Sequence, residues 1–294
     1  MSIPINSRCI QCTLDRNIQT LREMGCDEAA VTAFARELMQ LILEVAPEDP
    51  TLCAVPGISD LFSKYTGCPE DRFWEEKQES NRFFLARMDQ IRSAVESAPD
   101  PVYAGLQYAI LGNYIDFSAL HGEVDLDKLD GLLAKGREIA VDEAAYRQFL
   151  GDLEAGKTLL YLTDNAGEIG FDRIFAEQLQ KAYPHLAITF CVKGGPANND
   201  AMRQDAIDVG VPFPVIDNGN RTPGTQLNLC NEETLQAIAE SDVIFSKGQA
   251  NVETLLGCGH NIYYAFLVKC QIFIDLFRQP KLTPMLVRER SFGK

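Results

Sequence analysis

Apolar residues in the first half of the chain recur at the spacing of amphipathic helices. Asp27 is suited to cap a helix whose apolar positions follow three or four residues apart and which ends before Pro47. Further helices are predicted over residues 83–95, 102–110, 127–135 and 142–150. The pattern therefore predicts an all-helical region over residues 1–150.

From residue 151 onward, short apolar runs alternate with helical patterns. The run over residues 158–163 is almost continuously apolar, which is typical of a strand buried on both faces. Further strands are predicted over residues 187–192, 213–216, 242–246 and 262–267, with helices over 171–182, 200–208 and 232–240 between them. Such alternation favours a mostly parallel sheet covered on both faces. We therefore predict a three-layer α/β/α sandwich over residues 151–294, preceded by the helical region.

The charge balance narrows the expected partners. The 294 residues include 42 Asp and Glu against 27 Lys and Arg, a formal net charge of −15. Such a field repels nucleic-acid phosphates and anionic lipids, so we expect neither as a partner. No apolar run approaches the roughly 20 residues of a membrane span, and the N-terminus does not resemble a signal peptide. With nine scattered cysteines read as reduced thiols, the sequence predicts a cytoplasmic protein.

A match to the phosphate-binding loop fails in its context. Gly151 to Thr158 reads G-x-x-x-x-G-K-T, but that loop needs a strand before it and a helix after it. Here a predicted helix precedes the match, a strand follows it, and Glu154 would repel phosphate. We therefore expect a helix-to-strand turn. A dinucleotide-dependent oxidoreductase is also disfavoured, because no G-x-G-x-x-G follows the first strand, and the three histidines are not at metal-ligand spacing.

Acidic and amide side chains follow the first two predicted strands. Asp164 and Asn165 come directly after the first strand, and Asp200 follows the second. Each could simply cap a helix. However, neighbouring parallel strands lie about 5 Å apart, so side chains at their ends can share one ion. Oxygen ligands of this kind suit a hard cation such as Mg²⁺ or Mn²⁺.

Two lysines follow later strands. Lys247 and Gly248 end the strand at 242–246 and offer an ammonium and unhindered backbone N–H groups, although an ordinary surface turn would look the same. Lys269 follows the strand at 262–267 in an apolar neighbourhood, where a lysine is costly unless it is paired or functional. A metal site flanked by two cations is suited to binding and cleaving a phosphate ester.

Five blocks of the sequence together resemble the domain-of-unknown-function 89 (DUF89) family, the metal-dependent damage-control phosphatases. They lie at residues 112–117, 164–168, 195–200, 241–251 and 267–270. The resemblance implies a helical N-terminal region on an α/β/α sandwich and hydrolysis of phosphorylated metabolites.

The resemblance also implies roles for individual residues. The metal would be held by Asp164, Asn165 and Asp200, and the substrate phosphate would be contacted by Lys247, Gly248, Asn251 and Lys269. Glu168 belongs to the first of the family's ligand blocks and is a further substrate candidate. Asn113 and Asp116 either end a helix or support the substrate.

The pair Cys9 and Cys12 matches a C-x-x-C motif that prokaryotic-type members of the family often carry. A four-cysteine zinc site would need a second such pair, which the chain lacks. Three roles stay open at this point: a structural or substrate-adjacent role, metal binding with distant partners, and a redox role.

The sequence therefore predicts a phosphatase that hydrolyses small phosphorylated metabolites such as sugar phosphates with Mg²⁺, Mn²⁺, Co²⁺ or Ni²⁺. Asp164, Lys247 and Lys269 are the predicted catalytic residues. Whether water or Asp164 attacks phosphorus stays open. The alternative is a non-catalytic protein that binds a metal or a sugar phosphate with the same residues.

Overall fold

A computed structural model describes residues 2–114 and 136–289, together with residues 131 and 133. Asp116 lies outside the described residues, as does most of the helix predicted over residues 127–135. Among the described residues, no helix is long and apolar enough to cross a membrane.

The chain up to residue 114 is helical, as predicted. Its helices are α1 (Ser7–Glu23), α2 (Glu28–Glu44), α3 (Val55–Thr66), α4 (Trp74–Leu85), α5 (Met88–Glu96) and α6 (Pro101–Gly112). Asp27 caps α2 by accepting a hydrogen bond of 2.8 Å from the N–H of Ala30. The single helix predicted over 83–95 is wrong. The N–H of Arg87 bonds the carbonyl of Phe84, and this tight turn separates α4 from α5.

The rest of the chain alternates strands and helices. The elements are α7 (Glu143–Ala155), β1 (Thr158–Leu162), α8 (Glu168–Ala182), β2 (Ala187–Val192), α9 (Arg203–Asp208), β3 (Val215–Asp217), α10 (Glu232–Glu240), β4 (Val243–Lys247), α11 (Gln249–Leu255), β5 (Ile262–Leu267), α12 (Gln271–Phe277) and β6 (Pro284–Arg288). The Gly151 to Thr158 match begins in the last turn of α7 and ends at the first residue of β1. A helix therefore precedes it and a strand follows it, which confirms that it is not a phosphate-binding loop.

The strands form one sheet in the order β3-β2-β1-β4-β5-β6. All neighbours are parallel except β6, which runs antiparallel to β5. The mostly parallel sandwich is thus confirmed, whereas the short edge strand β6 was not predicted. The division at residue 150 stays a prediction, and that position lies within α7.

The two faces of the sheet are covered by different helices. Helices α4 to α9 pack on one face around a cluster of aromatic residues, among them Phe149, Tyr161 and Phe245. Helices α10 to α12 cover the other face, where Ile244 and Tyr264 are buried. Helices α1 to α3 have a small apolar core of their own. The sheet order places β1 beside β4, so the chain reverses its direction of winding between these two strands. In α/β sheets, ligands bind in the crevice at the carboxyl ends of such strands.

Candidate functional site

Two carboxylates and two amides, from the loop after β1, the start of α8 and the end of α6, form one buried cluster. Asp164 is 7% exposed. The side-chain amide of Asn165 donates to Asp164 Oδ2 at 2.9 Å and to Glu168 Oε2 at 2.8 Å. Asn113, at the end of α6, donates to Asp164 Oδ2 at 2.7 Å and to both oxygens of Glu168 at 3.2 and 3.0 Å. The structure therefore brings four of the predicted site residues together, and one of them comes from the helical region.

The loop after β2 runs directly beside the loop after β1. Asn165 and Asp200 form an isolated antiparallel bridge. The N–H of Ala166 bonds the carbonyl of Asn199 at 2.9 Å, and the N–H of Ala201 bonds the carbonyl of Asp164 at 2.8 Å. The buried Asp200 carboxylate lies 3.6 Å from the ammonium of Lys193. The three predicted metal ligands thus lie on two loops that are hydrogen-bonded to each other.

The turn after β4 approaches this cluster closely. Gly248 has a φ of +79°, and a Cβ atom added there would lie 2.0 Å from Asp164 Oδ2. Only glycine leaves room for that carboxylate, and glycine also adopts this backbone conformation without strain. Gly248, which follows β4, is therefore placed against Asp164, which follows the neighbouring strand β1.

Lys247 lies beneath the cluster. Its side chain is 0% exposed. The ammonium donates to Glu168 Oε1, to Asp172 Oδ1 at 2.9 Å and to the carbonyl of Ala109 at 2.7 Å. Burial alone would lower the pKa of Lys247, but the two carboxylates raise it above its usual value. The structure shows Lys247 holding carboxylates, while its contact with a substrate phosphate stays a prediction.

Asp172 is a member of this cluster that the sequence analysis missed. It accepts a hydrogen bond of 2.8 Å from the hydroxyl of Tyr161 as well as the one from Lys247. Burial raises the pKa of the Asp172 carboxyl to about 7, although the neighbouring ammonium opposes the shift. Glu168 and Asp172 are one helical turn apart on α8, and that spacing is the signal in the sequence that could have identified Asp172.

Asn251 is buried in α11, after β4, and Lys269 follows β5. Both polar atoms of the Asn251 side chain are engaged: it donates to the carbonyls of Thr163 and Lys247 at 3.0 and 2.7 Å and accepts from Thr225 at 2.7 Å. Asn251 therefore ties the ends of β1 and β4 together. Lys269 is half-buried after β5, and its backbone N–H bonds the side chain of Gln249 at 3.0 Å. Their contacts with substrate stay predictions.

Cys9 and Cys12 lie in the first turns of α1. Cys9 is half-buried, Cys12 is exposed, and all nine cysteines of the chain are free thiols. The side-chain amide of Asn6 approaches Cys9 Sγ at 3.4 Å. Burial raises the pKa of the Cys9 thiol, and the nearby charges of Glu253 and Cys270 act in the same direction. A raised pKa works against a reactive thiolate at Cys9.

The residues around Asp164 fit a divalent cation. The cluster contains three buried carboxylates, those of Asp164, Glu168 and Asp172. The ammonium of Lys247 contacts Glu168 and Asp172. Negative charge is therefore in excess, and buried charge is costly unless it is compensated. Asn113 Oδ1 is also buried without a hydrogen-bond partner among the described residues. Within those residues, no group of three or more His, Cys, Asp or Glu side chains is already arranged to hold a metal ion. The predicted ligands instead combine two aspartates with an asparagine, all oxygen donors suited to a hard cation.

Comparison with known proteins identifies the family. A sequence model of the damage-control phosphatase ARMT1-like domain matches residues 5–282. A damage-control phosphatase from Archaeoglobus fulgidus is 30% identical over 275 residues, which cover 91% of this chain and 93% of that protein. A damage-control phosphatase from Pyrococcus horikoshii is 26% identical over 292 residues, covering 97% and 98%. An uncharacterized protein from Methanocaldococcus jannaschii is 28% identical over 280 residues, covering 92% and 90%.

The fold has a counterpart among solved structures. The crystal structure of a DUF89 family protein from Pyrococcus horikoshii superposes with a TM-score of 0.82 at 24% identity, over 97% of this chain and 99% of that chain. This likeness confirms the predicted architecture, and the sequence matches confirm the predicted family. The chain therefore belongs to the damage-control phosphatase ARMT1-like domain family, the DUF89 family.

Proposed function

We propose that this protein is a divalent-metal-dependent phosphatase that hydrolyses small phosphorylated metabolites such as sugar phosphates. The observation that carries the proposal is the meeting of the Asp164–Asn165 loop, the Asp200 loop and the Gly248 turn at the carboxyl ends of β1, β2 and β4. This is the position in an α/β sheet where ligands bind. Relatives named damage-control phosphatases cover nearly the whole chain and support a phosphatase activity.

In this proposal the metal would be held by Asp164, Asn165 and Asp200. Mg²⁺, Mn²⁺, Co²⁺ and Ni²⁺ are the candidates, and a bound ion would stabilise the negative charge that develops on the phosphoryl oxygens. The amides of Asn113 and Asn165 orient the Asp164 carboxylate. That carboxylate thus needs little rearrangement, which is how supporting hydrogen bonds raise the affinity of a metal ligand.

The two lysines of the site, Lys269 and Lys247, would act at different distances from the substrate. Lys269, at the end of β5, would face the substrate and neutralise charge on the phosphoryl group. Lys247 would act one layer below, because it holds Glu168 in place and offsets part of the buried negative charge. This arrangement fits attack on phosphorus by water and also attack by Asp164.

The setting of the activity follows from charge and chemistry. A net charge of −15 favours small substrates drawn in by a local metal over extended polyanions such as nucleic acids. Nine free thiols fit a reducing compartment, so we place the activity in the cytoplasm.

A screen of phosphorylated metabolites tests the proposal. The protein is stripped of metal, and phosphate release is followed with and without each of the four cations. We expect turnover of at least one sugar phosphate that depends on added metal. Binding of metal and sugar phosphate without any phosphate release would instead establish the non-catalytic binding protein.

A further inference from the structure

A buried amide on α4 contacts the first metal-binding loop. Asn81 is 2% exposed. Its Oδ1 accepts a hydrogen bond of 2.8 Å from the backbone N–H of Gly167, which lies between Asn165 and Glu168. Its Nδ2 donates to Asp205 Oδ1 at 2.9 Å. The orientation of the amide is fixed, since a donor faces its oxygen and a carboxylate faces its nitrogen.

Asp205 continues this contact to the second loop. It is 0% exposed and lies in α9. Its other oxygen accepts a hydrogen bond of 2.8 Å from the backbone N–H of Met202, two residues after Asp200. Lys193 and Met202 form an isolated parallel bridge, so the far end of the same loop is fixed as well. A continuous chain of hydrogen bonds thus runs from Gly167 through Asn81 and Asp205 to Met202.

The backbone at Gly167 depends on the same helix. Gly167 has a φ of +73°, and a Cβ atom added there would lie 2.6 Å from Ser80 Cβ and 2.9 Å from the Ser80 carbonyl oxygen. Helix α4 therefore presses against the loop at the residue whose N–H it binds. Lys77 is a fully buried lysine one helical turn before Asn81. Burial raises the pKa of the Asp205 carboxyl, and the hydrogen bond from Met202 and the charge of Lys77 oppose that shift.

We infer that Asn81 and Asp205 are positioning residues that set the spacing between the loop of Asp164 and Asn165 and the loop of Asp200. Neither side chain belongs to the set that would hold the metal. Both act on backbone N–H groups two residues from that set, so they determine where its oxygens lie. Helix α4 thereby makes the site geometry dependent on the helical region. The effect on catalysis rests on the proposed function, whereas the effect on the two loops does not.

Substitutions that preserve shape test the inference. Asp205→Asn leaves one acceptor where two hydrogen bonds are needed. If its oxygen accepts from Met202, Asn81 must turn its own oxygen away from Gly167, and if its oxygen accepts from Asn81, the bond from Met202 is lost. Asn81→Asp places two carboxylates face to face. The double variant Asn81→Asp with Asp205→Asn restores every bond. The new carboxylate on α4 would accept from Gly167, and the new amide on α9 would donate to that carboxylate while accepting from Met202. The changed charge would also stay near Lys77.

A control variant changes a contact between the same two helices, α4 and α9, that does not involve the two loops. Gln78, also on α4, donates to Asp208 on α9 at 3.1 Å. Gln78→Glu therefore creates facing carboxylates between α4 and α9 at a site that touches neither loop.

Amide hydrogen exchange of Gly167 and Met202, followed by NMR on metal-free protein, is the first readout, because it requires no enzymatic activity. We expect faster exchange at Gly167, at Met202 or at both in each single variant, wild-type protection of both in the double variant and no change in Gln78→Glu. Metal affinity is the second readout. We expect each single variant to weaken it roughly tenfold to hundredfold, as removal of supporting contacts commonly does, and the double variant to recover most of the loss.

The outcomes separate the two proposals. If the wild type shows no phosphatase activity but amide exchange in the variants changes as expected, the positioning role stands and the proposed function fails. Unchanged exchange in the folded single variants would overturn the positioning role. So would a folded double variant that leaves Gly167 unprotected or binds metal no better than the single variants. The double variant decides the case even where a single variant does not fold.

Discussion

Lys247 and Gly248 are adjacent residues with different tasks. Along β4, Val243 and Phe245 contribute to the core beneath α4 to α9, whereas Ile244 faces the opposite core. Because side chains alternate along a strand, Lys247 points to the same side as Val243 and reaches two carboxylates of α8 and a backbone carbonyl of α6. Gly248 instead faces the Asp164 carboxylate at the crevice.

Replacing Gly248 tests the close approach to Asp164. In Gly248→Ala the new methyl group would overlap Asp164 Oδ2, and the residue would also be strained at a φ of +79°. We expect metal affinity and phosphatase activity to fall roughly hundredfold or more, since the carboxylate must move. Gly259→Ala is the matched control, because Gly259 has a φ of +85° but no atom within 4 Å of an added Cβ. Equal effects of the two substitutions in calorimetry and kinetics would show that backbone strain, and not the approach to Asp164, is responsible.

Replacing Lys247 separates a supporting role from a direct phosphate contact. Lys247→Met removes the buried counter-charge of Glu168 and Asp172, and breaking a buried ion pair in this way costs about 3–5 kcal/mol of the free energy of unfolding. Adding Asp172→Asn removes one of the stranded charges, so the double variant should recover part of the loss. Urea unfolding measures the free energy of unfolding of both variants. A Lys247→Met protein with wild-type stability that has lost only phosphate affinity would contradict the supporting role.

At the residue scale, the sequence identified the side chains that follow strands. Asp164 and Asn165 could be predicted because they come directly after an apolar run, and Asp200 because it lies in the loop that follows the next predicted strand, since the ends of parallel strands lie together. The partners of Lys247 could not be predicted, because they depend on how α6 and α8 pack. Asp172 and Asn81 were missed for the same reason: each is an ordinary polar residue within a helix until the packing of that helix is known.

At the scale of elements, the reliable signals were long apolar patterns with clear ends. Strands β2 and β5 lie where they were predicted, because β5 is buried along its whole length and β2 over its last three residues. Helix α1 lies in the region that was predicted to be helical, but its own bounds were not predicted, although Ile10, Leu14 and Ile18 recur at helical spacing and pack with Leu21. Strand β6 was missed because it is a short edge strand of mixed burial.

The turn from α7 to β1 yields a prediction of no effect. Lys157 is exposed between a helix end and a strand, and its backbone N–H bonds Asp242 at 2.7 Å. Lys157→Ala should therefore leave phosphatase activity and stability unchanged, and calorimetry should detect no tight ATP binding to either protein. Micromolar ATP binding that the variant loses would show that the Gly151 to Thr158 match does bind nucleotides.

At the scale of the whole molecule, the helical region and the sheet build the site together. The sheet supplies the loops of Asp164 and Asp200, and the helical region supplies Asn113 and Asn81. Helices α4 to α6 share one core with the sheet, so the site rests on the packing between them. The sequence predicted both parts of the fold, but their contact depends on long-range packing that local patterns do not report.

The central claim is that Asp164, Asn165 and Asp200 hold a metal that the phosphatase reaction requires. Calorimetric titration of Mn²⁺ into metal-stripped wild type, Asp200→Asn and the exposed control Glu233→Gln tests it most directly, with turnover of an active substrate measured on the same samples. The account predicts metal-dependent turnover in wild type and control. It also predicts metal affinity and turnover that fall together in Asp200→Asn, by at least the roughly tenfold to hundredfold that loss of a contact supporting a metal ligand costs. Full turnover of the wild type in excess chelator, or wild-type Mn²⁺ affinity in Asp200→Asn, would contradict it.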